Sequence, residues 1–248
     1  MERAESVAFL LKRTGQTDEA AAGQLAETLG DLPLALAQAG AYVSQTGTTF
    51  PAYLDLFQSR RTELWAKERP PFDYPATVDT TWDLAFQQVQ RASPAGADLL
   101  NLCAFLAPDD IPQDLLREGA QHLPRPLAEA VADPLKFDQA VAALLQYSLM
   151  ERTGDALSVH RMVQAVARDR LAEGGRSTWA EAALHLVNDV FPSGDVPQDV
   201  RNWPQCARLL PHALIAAGHA EALEVASEAT AHLFNEAGVY LCLMSLNS

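Results

Sequence analysis

Apolar residues recur every three or four positions along most of this chain, which is the pattern of amphipathic α-helices. Thr17 or Asp18 is placed to cap the second of these helices, Gly30 to end it, and Pro33 to open the third. Helices this short are stable only when their apolar faces pack together, so the first 69 residues are predicted to form a helical bundle. Its apolar positions are Val7, Leu10, Leu11, Leu25, Leu29, Leu36, Ala39, Val43, Leu54, Phe57 and Leu64.

Three prolines between residues 70 and 75 interrupt the helical pattern and predict an extended connector. Helical periodicity then returns until residue 147. Between residues 148 and 160, two short runs flank a turn that contains Gly154, which predicts a β-hairpin, and a helix with Val163 and Val166 inside follows. Helices, a small hairpin and one more helix are the order expected of a winged-helix domain, here residues 70–173.

Gly174 and Gly175 are interpreted as a second break in the helical pattern. Beyond them, alanine-rich helices are predicted at 178–191, 203–217 and 220–237, as antiparallel hairpins of the tetratricopeptide-like kind. Residues 242–248 carry no repeat pattern. The predicted fold is therefore mainly α, in three parts: a helical bundle (1–69), a winged-helix domain (70–173) and helical hairpins (174–248).

The charge balance narrows the classes of partner. The net charge is −14, from 32 acidic and 18 basic residues, and the only lysines are Lys12, Lys67 and Lys136. Nucleic acids and anionic membranes both select for positive charge, so the sequence argues against either partner. It contains neither a secretory signal nor an apolar run of about 20 residues. A cytoplasmic protein is expected, with its three distant cysteines as small buried hydrophobic residues.

The motifs of common catalytic sites are missing from the sequence. None of the lysines follows a glycine or precedes a serine or threonine, so there is no phosphate-binding loop. Asp109 and Asp110 sit in a proline-flanked turn rather than at the end of an apolar strand, which favours a solvated turn over a Mg²⁺ site. We therefore predict no catalytic residue, no metal site and no enzymatic activity for this chain alone.

His160 differs from the other five, scattered histidines, because it lies between the predicted hairpin and the start of a helix. The positive end of a helix attracts anions such as phosphate. From position alone, a structural role for His160 is still favoured over a binding role.

Residues 29–36, Leu-Gly-Asp-Leu-Pro-Leu-Ala-Leu, resemble the Gly-x-Pro motif of NB-ARC and related STAND signalling ATPases. That resemblance implies that Pro33 packs against the adenine of a bound nucleotide. Residues 158–164, Ser-Val-His-Arg-Met-Val-Gln, are similar to the Met-His-Asp motif at the end of the winged helix of this family. The resemblance implies that His160 contacts the β-phosphate of ADP, whereas Arg161 stands in the place of the aspartate and cannot inherit its role.

Further short segments, at 74–82, 102–108, 203–204 and 210–212, resemble segments of bacterial members of this family that carry tetratricopeptide repeats. The implied function is a regulatory module that closes over ADP held by an upstream nucleotide-binding domain. ADP or ATP would bind the full-length parent, an expected ATPase, and not this chain alone with high affinity. The implied partners are that upstream domain, further copies on activation, and a protein ligand of the C-terminal repeats. The chain would then be an excised or truncated part of such a protein.

Two alternatives stay open at the level of sequence. The first is a helical interaction scaffold with no role in nucleotide binding. The second is a winged-helix regulator that reads DNA with a helix at 134–147, although the charges there, Asp133, Lys136 and Asp138, sum to −1.

Overall fold

A computed structural model describes residues 1–67, 76–194 and 199–246. The described chain is mainly helical with one small antiparallel sheet, which confirms the predicted mainly α class with a helical bundle and a small hairpin. It divides into two compact units: Met1–Ser93 with Ala142–Leu149, and Pro94–Val141 with Met150–Ser248. The predicted connector at 70–75 and the boundary at 69/70 lie outside the described residues, and the three-part division stays a prediction.

The first unit is built from five helices that pack side by side: α1 (Arg3–Thr14), α2 (Glu19–Thr28), α3 (Pro33–Thr46), α4 (Phe50–Lys67) and α5 (Ala76–Ala92). Helix α1 contacts α2 and α3, α2 also contacts α4, and α5 packs on α3 and α4. The largest side chains of this core are fully buried and come from α4 and α5: Phe50, Tyr53, Phe57 and Trp82. Phe57 is one of the predicted apolar positions, whereas Phe50 and Tyr53 are not.

The helix boundaries of this unit follow the capping residues in the sequence. Asp18, rather than Thr17, caps α2, because its Oδ1 accepts a hydrogen bond from the backbone N–H of Ala21 at 2.9 Å. Pro33 is the first residue of α3, where its missing N–H would have no intrahelical partner. Both predictions for these helix starts are confirmed.

The second unit contains α6 (Pro94–Cys103), α7 (Gln113–Glu118), α8 (Arg125–Val131), most of α9 (Pro134–Gln146), α10 (Arg161–Arg170), α11 (Glu173–Val190), α12 (Trp203–Ala222) and α13 (Ser227–Leu246). Short 3₁₀ turns at Ala120–His122 and Val200–Asn202 complete its helical content among the described residues. Helix α11 packs on α6, α7, α12 and α13, so it contributes to the packing of both the first and the last helices of its unit.

The predicted hairpin is present and is joined by a strand that the sequence did not indicate. Strands β2 (Glu151–Thr153) and β3 (Ala156–Ser158) flank a turn in which Gly154 has φ +61°. Strand β1 (Ile111–Pro112) adds to the other side of β3, which gives the order β1-β3-β2. Pro112 is tolerated there because β1 is an edge strand.

Two predictions for the C-terminal helices are wrong in position. The break predicted at Gly174 and Gly175 lies at residues 171–172 instead, because α10 ends at Arg170 and α11 begins at Glu173 and includes both glycines in its first turn. The last helix is α13, Ser227–Leu246, rather than 220–237, and it includes most of the segment in which no pattern was found. First-turn N–H groups lack intrahelical partners in any sequence, so glycines there do not end a helix.

The cysteines agree with expectation at two of three positions. Cys103 and Cys206 are buried, and burial raises the pKa of the Cys103 thiol to about 12. Both therefore behave as small hydrophobic side chains. Cys242 is exposed on α13, so its predicted burial is wrong.

Candidate functional site

Pro33 follows a tight turn that needs two residues in the left-handed backbone region. Gly30 has φ +67° and Asp31 has φ +53°. The N–H of Asp31 donates to the carbonyl of Ala26 at 3.0 Å, and that of Gly30 to Glu27 at 3.0 Å, which satisfies the last carbonyls of α2. Asp31 thus adopts the conformation that a second glycine would adopt, and Pro33 is exposed at the start of α3.

The side chain of Asp31 has a structural partner. Arg3 of α1 donates from Nε to Oδ1 at 3.0 Å and from Nη2 to Oδ2 at 2.8 Å. These hydrogen bonds lower the pKa of Asp31 to about 2. The aspartate at this position therefore fixes the turn before Pro33 to the first helix, a role that glycine could not take.

His160 caps the N-terminus of α10. Its Nδ1 accepts a hydrogen bond from the backbone N–H of Met162 at 3.2 Å, and its backbone carbonyl accepts from Gln164 at 3.1 Å. An imidazole nitrogen that accepts a hydrogen bond carries no proton, so the proton of the neutral ring is on Nε2. His160 is exposed, and Nε2 is a hydrogen-bond donor without a partner among the described residues.

The neighbours of His160 have different roles. Val159, in the place of the methionine of the Met-His-Asp motif, is fully buried, and its N–H donates to the carbonyl of Pro108 at 2.8 Å. Arg161, in the place of the aspartate, is exposed. The motif therefore anchors β3 through Val159 and presents His160 and Arg161 to solvent.

Two polar residues on the inner face of α10 were missed at the level of sequence. Gln164, 4% exposed, donates from Nε2 to the carbonyls of Cys103 at 2.8 Å and Leu106 at 3.1 Å. Arg168 donates to the carbonyl of Ala104. Cys103 is the last residue of α6, and Ala104 and Leu106 follow it, so these carbonyls have no partner within α6 itself. Helix α10 therefore supplies the C-terminal cap of another helix.

Helix α10 is also held at its own C-terminus. Arg176 of α11 donates from Nε to the carbonyls of Arg168 at 3.0 Å and Leu171 at 3.2 Å, and from Nη2 to Asp169 at 3.2 Å. A guanidinium at a helix C-terminus is favoured both by these hydrogen bonds and by the helix dipole. The position of His160 is therefore set by contacts of α10 with the end of α6 and the start of α11.

The two predicted site residues belong to different compact units, Pro33 to the first and His160 to the second. Their convergence on one nucleotide stays a prediction. Across residues 1–67, 76–194 and 199–246, no group of three histidine, cysteine, aspartate or glutamate side chains is arranged to hold a metal ion. Within the same residues, no helix is both long and apolar enough to cross a membrane.

Comparison with known proteins gives two matches. Residues 87–176 match a family described as Domain of unknown function (DUF7779), which extends from α5 to the start of α11. A protein of Hyaloscypha variabilis named nucleotide-binding leucine-rich repeat (NLR)-like protein is 27% identical over 234 residues, which cover 88% of this chain. No solved structure matches. The chain is thus similar to part of a distantly related NLR-like protein, of whose length the match spans 22%.

Proposed function

We propose that this chain is a regulatory module of an NLR- or STAND-type ATPase, which closes over ADP held by a nucleotide-binding domain of the same polypeptide. Two independent facts support the proposal: the similarity to an NLR-like protein over 88% of the chain, and the local geometry of the two residues that resemble nucleotide-contacting motifs. Catalysis belongs to the nucleotide-binding domain in this scheme, and this chain supplies no catalytic residue.

The observation that carries the proposal is the orientation of the His160 ring. Because Nδ1 is used by the N–H of Met162, Nε2 is left as a hydrogen-bond donor at the positive end of α10. A donor of this kind, beside the exposed cation Arg161, is complementary to a phosphate oxygen. Exposed Pro33, fixed at the start of α3, offers an apolar surface suited to a flat base.

The contacts of α10 suggest how nucleotide state could reach the C-terminal helices. A force on His160 acts on a helix that Gln164 and Arg168 hold to the end of α6 and that Arg176 holds, at its C-terminus, to α11. Gain or loss of a phosphate contact would then shift α10 and α11 together, and switches of this kind operate by a difference in contacts between two states. In the activated state, the parent protein is expected to oligomerise and its C-terminal repeats to bind a protein ligand.

The first test is a calorimetric titration of ADP, with and without Mg²⁺, into residues 1–248 and into a longer polypeptide that adds an upstream nucleotide-binding domain. We expect high-affinity binding by the longer form only, since most phosphate contacts would come from the added domain. In that form, His160→Ala should weaken ADP binding about tenfold, which corresponds to the loss of one hydrogen bond to a charged group.

A second variant separates the phosphate contact from the helix cap. Asparagine is a good N-cap residue, so His160→Asn keeps the cap of α10 and removes the Nε2 donor. We expect it to weaken ADP binding as His160→Ala does, while its melting temperature stays near that of the wild type. His185→Ala, on α11, is the matched control and should bind ADP normally. If the longer form fails to bind ADP, the nucleotide proposal is wrong and the chain is better described as a helical interaction scaffold.

A further inference from the structure

The segment 103–110, which runs from the last residue of α6 to β1, is held in place by side chains of other elements. Residues 103–107 are buried, and buried carbonyl groups need hydrogen-bond partners. Side chains of α10 donate three hydrogen bonds to these carbonyls, two from Gln164 and one from Arg168. Further contacts come from the N–H of Val159, which donates to the carbonyl of Pro108 at 2.8 Å, and from α12, a helix outside the matched domain family.

Helix α12 contacts the segment through three side chains on one face. Arg208 donates to the carboxylate of Asp110, from Nη2 at 2.9 Å, and to that of Asp155 in the hairpin turn at 2.8 Å. One turn later, His212 donates from Nε2 to the carbonyl of Asp110 at 3.1 Å. Two turns further on, the ring of His219 packs edge-on against Phe105, with centroids 5.3 Å apart.

Both histidines are in surroundings that disfavour the charged imidazole. His212 is 1% exposed, and its Nδ1 has no hydrogen-bond partner among the described residues. A proton on Nδ1 would place a buried N–H without an acceptor near the guanidinium of Arg208. The carboxylate of Asp110 acts in the opposite direction and favours the charged imidazole. Burial lowers the pKa of His212, and burial together with Arg168 lowers that of His219 to about 4.

We propose that the two histidines form a latch that holds α12 on the segment 103–110 while they are neutral, and that their protonation releases α12. The charged groups that act on them are Arg208 of α12 and Asp110 of the segment at His212, and Arg168 of α10 at His219. The same segment anchors α10, so release of α12 also loosens the support of the helix that begins after His160. The latch does not depend on nucleotide binding.

The direction of the pH effect follows from the depressed pKa values. Unfolded or released histidine titrates near 6.5, above the values in the latched state. Below about pH 6.5, the released state therefore binds more protons than the latched state. The latch is stable above that pH and loses its stability as the pH falls towards 4. Each pH unit in this window favours release by up to about tenfold for each histidine.

The test is hydrogen exchange of the wild type between about pH 7.5 and pH 4.8, with labelling times scaled for the intrinsic exchange rate. We expect protection to fall at least about tenfold in peptides from 103–110 and from α12, while α1 to α3 change little. The double variant His212→Gln and His219→Gln, which cannot be protonated, should lose this response. His232→Gln, on α13 with its ring bonded to Asn188, should keep it.

Three outcomes overturn the latch: no selective loss of protection in the wild type, a uniform loss across the whole chain, or the same response in the double variant. Should the double variant fail to fold, nitrogen NMR shifts of the wild-type histidines give an independent result. We expect His212 to carry its proton on Nε2 at the higher pH. A His212 that becomes doubly protonated while α12 stays protected contradicts the proposal.

Discussion

Gln164→Glu should destabilise the chain by about 3–5 kcal/mol near pH 7.5, because it places a carboxylate against two carbonyl oxygens in a buried site. The amide Nε2 now donates to the carbonyls of Cys103 and Leu106, at 2.8 and 3.1 Å. The substitution removes both hydrogen bonds and adds a negative charge, on a side chain of nearly the same size and shape as glutamine. Urea denaturation followed by circular dichroism measures the loss.

The pH dependence identifies the cause of that loss. Burial and the two carbonyl oxygens raise the pKa of the introduced carboxyl above its unfolded value of about 4.3. A group whose pKa is raised in the folded state makes its full contribution to stability at pH values below its pKa in the unfolded state. It loses that contribution as the pH rises through its pKa in the folded state. A protonated carboxyl can also donate to one carbonyl. Gln164→Glu should therefore cost much less near pH 4.5 than near pH 7.5.

Two further variants serve as controls for this prediction. Gln164→Met keeps the volume and removes the donors without adding charge, so it should cost about 1–3 kcal/mol at either pH. Gln139→Glu makes the same chemical change at an exposed position of α9 and should change stability by about 0.5 kcal/mol or less. A cost for Gln164→Glu that is independent of pH and equal to that of Gln164→Met would show that buried charge has no part in it.

Contacts local in sequence were predictable, and contacts between distant segments were not. Asp18, Pro33 and the turn at Gly154 act on backbone within a few residues, so capping and turn preferences were sufficient to place them. Gln164 and Arg168 instead bind carbonyls about 60 positions earlier in the chain. A glutamine and an arginine on an amphipathic helix look like ordinary polar residues until the partner helix is placed.

The same reason explains the missed strand and the misplaced helices. Strand β1 has two residues, one of them proline, and exists only because β3 pairs with it. The first-turn glycines of α11 look like a break because propensity is local, yet α11 packs against α6, α7, α12 and α13. For the candidate site, the sequence predicted His160 at a helix start. The hydrogen bond that orients its ring emerged only from the structure.

A single methyl group added at Gly119, in the second unit, should strongly lower the free energy of unfolding. It follows α7, where its backbone lies against α11, and an added Cβ would lie 2.5 Å from Cδ1 and 3.1 Å from Cα of Leu186. Leu186 is fully buried, so its side chain has no free space into which to move. The φ of Gly119 is −96°, so the restriction is the close approach and not the backbone conformation.

Gly119→Ala should therefore lower the free energy of unfolding by about 2–3 kcal/mol, the cost of overpacking a well-filled core. Gly218→Ala is the matched control. It lies within α12, and a Cβ there meets nothing within 4 Å, so the better helix propensity of alanine should raise stability by about 0.5–1 kcal/mol. Thermal and urea unfolding measure both variants. If Gly119→Ala lowers stability while Gly218→Ala raises it, the contact with Leu186 explains the difference. Equal effects would show that α7 can move away from α11, and that this interface is less closely packed than the distances to Leu186 imply.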